Sequence, residues 1–117
     1  MVNMEWFIKQ AVVCSKTGTA FAIASNLRNL NLILWYRGDY FLQKGNTLSV
    51  TSFGLIVNGK TRNLQLLHVF SFSHSLWVSL TQNLDCPGNT YPMIRHCPKR
   101  PGCLFKHCPY GAMLPHQ

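Results

Sequence analysis

The sequence predicts a small single domain, mostly β or α+β, built around a β-hairpin at Asn58-Gly59 and followed by an irregular Pro- and Cys-rich C-terminal tail. Three observations carry that expectation. Residues 47–57 are rich in β-branched and apolar side chains and run straight into Asn58-Gly59, a dipeptide that tolerates the positive φ angles of a type I′ turn. Residues 64–80 alternate. Leu64, Leu66, Phe70, Phe72, Leu76, Val78 and Leu80 share one parity and Ser71, Ser73, Ser75 and Ser79 the other, the period of a strand with two unlike faces. All six prolines fall after Asp85, where they exclude a long helix or a central strand.

Along the chain, residues 5–14 read as a short helix or strand, because Trp6, Phe7, Ile8, Ala11, Val12 and Val13 fit neither period cleanly. Gly18 marks a turn within residues 15–19. Residues 20–36 are mixed: Leu27, Leu30 and Leu34 suit a helix face, while Leu30, Leu32 and Leu34 suit alternation. Arg37-Gly38-Asp39 and Lys44-Gly45-Asn46 mark two further turns. The alternating run of 64–80 is too long for one strand, so a break is expected near His74. Together these signals place a β-meander over residues 20–82, inside an apolar module of residues 1–84. A basic Cys/His/Pro-rich tail spans 85–117.

Composition narrows the function classes. Charged residues make up 12% of the chain, about half of the ~25% usual for soluble domains. An apolar fraction of 47% excludes classical disorder, though a chain this short has modest stability and can be poorly folded. The net charge of +8 comes from a shortage of acids, just three, and not from a basic stripe. It predicts attraction to polyanions without naming one. Equal codon use would give about 4 Cys, 4 His, 2 Trp and 8 acids in such a length. The chain has 5 Cys, 5 His, 3 Trp and 3 acids, so its composition also fits a reading frame little shaped by selection. The exposed β-propensity of the uncharged 64–80 run adds a tendency to aggregate.

A secretory signal is poorly matched, since Glu5 sits in the would-be basic start and Ser15-Lys16 breaks the apolar run. The default expectation is therefore an intracellular chain in a reducing compartment. The longest uncharged stretch, 63–84, is long enough to span a bilayer but carries Gln65, His68, His74, Gln82 and four serines. A membrane-associated peptide acting through 63–84 is the weakest of three functional readings.

Chemistry concentrates in the tail. Cys86-x10-Cys97-x5-Cys103-x3-His107 offers three thiolates and one imidazole, the ligand count of a tetrahedral zinc site, with Cys108 and His116 as alternative ligands. The segment from 86 to 108 resembles a CCCH-type zinc finger, down to the closing Cys103-Leu104-Phe105-Lys106-His107. That resemblance implies zinc as a cofactor and single-stranded RNA as a partner. Phe105 and Tyr91 would stack on bases, and Lys99, Arg100 and Lys106 would meet phosphates. The resemblance departs in its long first spacing and in lacking the aromatic-Gly pair between Cys97 and Cys103.

Outside the tail, His68 and His74 lack a third ligand nearby and read as structural. Cys14, isolated among apolar residues, reads as a small buried hydrophobe. Catalytic readings fare poorly: three scattered acids give one carboxylate pair at most, and no nucleophile elbow, phosphate loop or dinucleotide fingerprint occurs. The leading expectation is thus a small basic protein without catalytic activity. A zinc-stabilised RNA-binding tail is the runner-up.

Overall fold

Seven antiparallel strands form one sheet in the computed structural model, which describes residues 5–51, 54–91, 93–105 and 107–112. In chain order they are β1 (Glu5–Cys14), β2 (Thr19–Ser25), β3 (Asn31–Gly38), β4 (Thr47–Thr51), β5 (Gly54–Val57), β6 (Lys60–Arg62) and β7 (Leu64–Ser71). Helix α1 (His74–Thr81), the single turn α2 (Pro87–Thr90) and a 3-10 turn at Arg100–Gly102 follow. The expected small, mainly β domain is what forms.

The turns behave as their residues require. Asn58 and Gly59 have φ of 51° and 84°, and the hairpin they close joins β5 to β6. The Asn58 side chain adds a second tie, since Thr47 N–H donates to its Oδ1 at 2.8 Å. Between β2 and β3, the Asn26 Oδ1 accepts from the N–H groups of Arg28 and Leu30, both at 3.0 Å. That Asx arrangement turns the chain between two strands, where the helical spacing of Leu27 and Leu30 had been one of the two options.

Strand order is β6-β5-β4-β1-β2-β3-β7. The two ends of that order, β6 and β7, are consecutive in the chain and separated by Asn63 alone. One residue spans only about 3.5 Å, so the sheet must curl until its ends meet. The seam is tied by Asp39, whose N–H donates to the Asn63 carbonyl at 2.9 Å and whose Oδ2 accepts from Asn63 Nδ2 at 2.8 Å. Gly38 makes that approach possible: at φ 148°, a Cβ there would lie 2.1 Å from the Asn63 carbonyl oxygen.

Curling separates two apolar faces. The inner one holds Ile8, Val13, Ala20, Ala22, Ala24, Leu34, Tyr36, Leu48, Leu55 and Val57, with Leu42 from the β3–β4 loop and Phe105 from the tail. Three alanines in a row on β2 leave room there for the Tyr36 ring, 1% exposed, whose hydroxyl accepts from Leu42 N–H at 2.8 Å. On the outer face, Val12, Phe21 and Ile33 pack under Trp77 of α1, with Trp35, Phe70, Leu76 and Leu80 around them.

The alternation expected over 64–80 stops at Ser71. A register shift opposite Trp35/Tyr36 puts Leu64 and Leu66 on the inner face but Phe70 on the outer one. The break near His74 begins a helix and not a second strand. Ser73 caps it, its Oγ accepting from Leu76 N–H at 3.4 Å. Residues 63–84 are therefore a sheet strand plus its covering helix, which corrects the membrane-peptide reading. No described helix is long and apolar enough to cross a membrane.

Candidate functional site

The site grows from an irregularity in β1. Ile8 pairs with Ala24 and Gln10 with Ile23, so Lys9 is an extra residue in a β-bulge. The bulge restores the inner face to the opposite parity, which is why Ile8 and Val13 share one core. The loop after β3 lies alongside it. Gly45 N–H donates to the Ile8 carbonyl and Ile8 N–H to the Asn46 carbonyl, each at 2.9 Å.

The tail supplies the third wall. Asn89 Oδ1 accepts from Val13 N–H at 2.8 Å, and Asn89 Nδ2 donates to the Val13 carbonyl at 2.9 Å. Tyr110 in turn donates its hydroxyl to Asn89 Oδ1 at 2.6 Å. Its ring lies so close over Gly88 that a Cβ there would meet Cδ2 at 2.0 Å. Burial, with Cys86 and Cys108 nearby, pushes the Tyr110 hydroxyl well above the ordinary tyrosine range, so it stays protonated and donating.

Between bulge, loop and tail lies an open cleft of about 560 Å³. Val13 and Leu42 form its buried floor, with Ala11, Phe41, Pro109 and Tyr110 as apolar walls. Lys9, Gln10, Gln43, Lys44 and Met93 stand exposed at the opening. No carboxylate lines it. Among the described residues its lining offers apolar contact and two lysines.

The residues singled out in the tail are placed differently from a zinc finger. Cys97 is buried, and Cys86, Cys103 and Cys108 are half-buried, all as free thiols. Burial raises the Cys86 thiol above its ordinary value. Among the described residues no group of three or more His, Cys, Asp or Glu could hold a metal ion. His107 is exposed and described, whereas Lys106 and the alternative ligand His116 lie outside the described residues.

Of the residues assigned to RNA, Phe105, Arg100 and Lys99 make contacts within the protein. Phe105 is 7% exposed and meets the Phe41 ring edge-on at 4.9 Å, so it is a core residue and offers no face to a base. Arg100 donates from Nη1 to the Phe105 carbonyl at 2.8 Å. Lys99 pairs with Asp85 at 2.9 Å, a contact that holds the Asp85 carboxyl below the usual range. Tyr91 is exposed. His68 and His74 are both exposed, and His68 rests against the Phe70 ring at 4.4 Å.

A family model described as the IraM/PmrD family matches residues 4–78. The chain belongs to the IraM/PmrD family. It is 50% identical over 109 residues to the anti-adapter protein IraM of Citrobacter koseri, covering 93% of this chain and 96% of that one. The anti-adapter protein IraM of Cronobacter sakazakii is 29% identical over 108 residues, covering 92% and 97%. The crystal structure of E. coli PmrD superposes with a TM-score of 0.61 at 16% identity, covering 70% of this chain and all of that one, which supports the fold alone.

These findings correct three readings. The zinc-finger resemblance fails, because the family is IraM/PmrD and the spacing of Cys86, Cys97, Cys103 and His107 builds no described metal group. Single-stranded RNA falls with it as the partner, since the relatives are named for opposing an adapter protein. The reading frame little shaped by selection falls too: half of 109 aligned positions, 93% of this chain, are shared with a relative. The sequence signal that was missed is Ser73 with Leu76, Trp77, Leu80 and Leu84, a capped helical spacing read as alternation.

Proposed function

We propose that this chain is an anti-adapter: it binds an adapter protein and holds it away from the clients that the adapter delivers. The observation that carries this reading is the 50% identity, over 93% of this chain, to the Citrobacter koseri anti-adapter. The length of the match adds support. The anti-adapter relatives align over 92–93% of the chain, tail included, whereas the PmrD structure accounts for 70%. The physical form suits a binding protein, with a curled sheet presenting an open cleft.

The test is competition. The purified chain is titrated into a complex of the Citrobacter koseri relative with that relative's adapter, and displacement is followed by fluorescence anisotropy. Stoichiometric displacement is expected. No displacement at about 100-fold excess, a deficit of at least ~2.7 kcal/mol, overturns the reading.

A further inference from the structure

We infer that the cleft beside the β1 bulge receives an acidic segment of the partner protein, with one bulky apolar side chain in the cleft and flanking carboxylates on Lys9 and Lys44. The inference rests on the anti-adapter reading for the identity of that partner. Its chemistry comes from the cleft itself.

The volume of about 560 Å³ falls in the range of ligand clefts, ample for one aromatic or leucine side chain. The walls are apolar and their outermost member, Met93, is 90% exposed. An unbranched thioether left in water at the mouth of an apolar cleft is the adaptable contact that partner-binding surfaces use. Such a buried apolar anchor ringed by polar groups is the usual centre of binding energy.

Charge decides the flanks. Lys9 projects from the bulge and Lys44 from the facing loop, both exposed, and neither is in an ion pair among the described residues. The lining holds no acid to answer them. A neutral segment would leave these two cations without a counter-charge, whereas carboxylates on either side of the anchor would match them. A second copy of this chain cannot supply that segment. Its three acids are Glu5, Asp39 and Asp85, of which Asp39 holds the seam and Asp85 is paired with Lys99.

The experiment compares adapter binding by the wild-type chain, a Lys9→Glu/Lys44→Glu variant and a Lys16→Glu/Lys60→Glu variant of equal net charge. Circular dichroism melts confirm that all three fold. The inference expects at least about a tenfold loss for Lys9→Glu/Lys44→Glu, shrinking in salt, and less than about threefold for the control pair. Equal losses in both variants, or none in either, overturn the cleft while leaving the anti-adapter reading standing.

If the wild-type chain binds no adapter, that reading fails and the cleft is judged alone, by amide shifts with the peptide acetyl-Glu-Glu-Leu-Phe-Glu-Glu-amide. Shifts at Ala11, Phe41 and Tyr110 that vanish with the Gln-for-Glu peptide support the inference. No shifts, or shifts with decanoate only, overturn it.

Discussion

Asn89 gives Val13 both of the hydrogen bonds that a neighbouring strand would give, one to its N–H at 2.8 Å and one from its amide to the carbonyl at 2.9 Å. β4 pairs with β1 only over Glu5 to Phe7, so beyond the bulge this edge of β1 is left for the tail to satisfy. A single side chain 76 residues away does so at Val13. The contact joins sheet and tail and sets the position of the cleft wall.

Replacing Asn89 with Ala strands a partly buried N–H and carbonyl together with the Tyr110 hydroxyl. Asn89→Ala is expected to lower unfolding free energy by about 1–3 kcal/mol. Urea denaturation measures it, and an unchanged midpoint would refute the clamp.

Gly88 and Tyr110 form a coupled pair. Gly88→Ala puts a methyl group into the ring, which cannot swing away without giving up Asn89, and is expected to cost about 1–3 kcal/mol. In the Gly88→Ala/Tyr110→Leu double variant the two costs should fall short of their sum by at least ~0.5 kcal/mol. Strict additivity in denaturant melts would show that the ring is not the obstacle.

Trp77 is the one fully buried side chain of α1 and the lid of the outer apolar face. Trp77→Ala is expected to cost about 3–5 kcal/mol, and the exposed sheet face should bind a hydrophobic dye. A loss below ~1 kcal/mol would mean that the helix is not packed there.

Loss of stability at alkaline pH should be shared by the raised tyrosine Tyr110 and the more deeply buried Tyr36. Burial pushes the Tyr36 hydroxyl far above the ordinary value, and it accepts from Leu42 N–H at the core. In the unfolded chain tyrosine ionises near pH 10. Above that pH the unfolded state sheds a proton that the folded state keeps, so stability is full below about pH 10 and falls as pH rises further. Unfolding melts from pH 8 to 11, with tyrosinate absorbance recorded alongside, check this. For Tyr36→Phe the alkaline loss should be smaller. An identical pH profile for the two proteins would remove Tyr36 as a cause.

Local chemistry made the turns legible: Asn58-Gly59 and Lys44-Gly45-Asn46 announce where the chain reverses, and Thr47 to Val57 announce strands. Residues 5–14 resisted a period for a structural reason. The bulge at Lys9 makes Trp6 and Ile8 face inward on even numbers, then Ala11 and Val13 on odd ones. No single period can describe such a strand. In 64–80 the error ran the other way, because the shift near Leu67 and the change to helix at His74 left a parity that looked unbroken.

The cleft was the least legible part. Lys9, Phe41 and Tyr110 share no motif or spacing, and only the curl of the sheet and the Asn89 clamp bring them together. The tail's cysteines drew attention because they cluster in sequence, while its structural work is done by Asn89, Phe105 and Tyr110.

The clamp also sets an order of events on the ribosome. Val13 is synthesised 76 residues before Asn89. At about 5–20 residues per second, about 4 to 15 seconds separate Val13 from its partner Asn89. Throughout that interval Val13 presents bare amide and carbonyl groups beside uncovered apolar surface. Nascent chains truncated before residue 89 should therefore be the ones that chaperones hold.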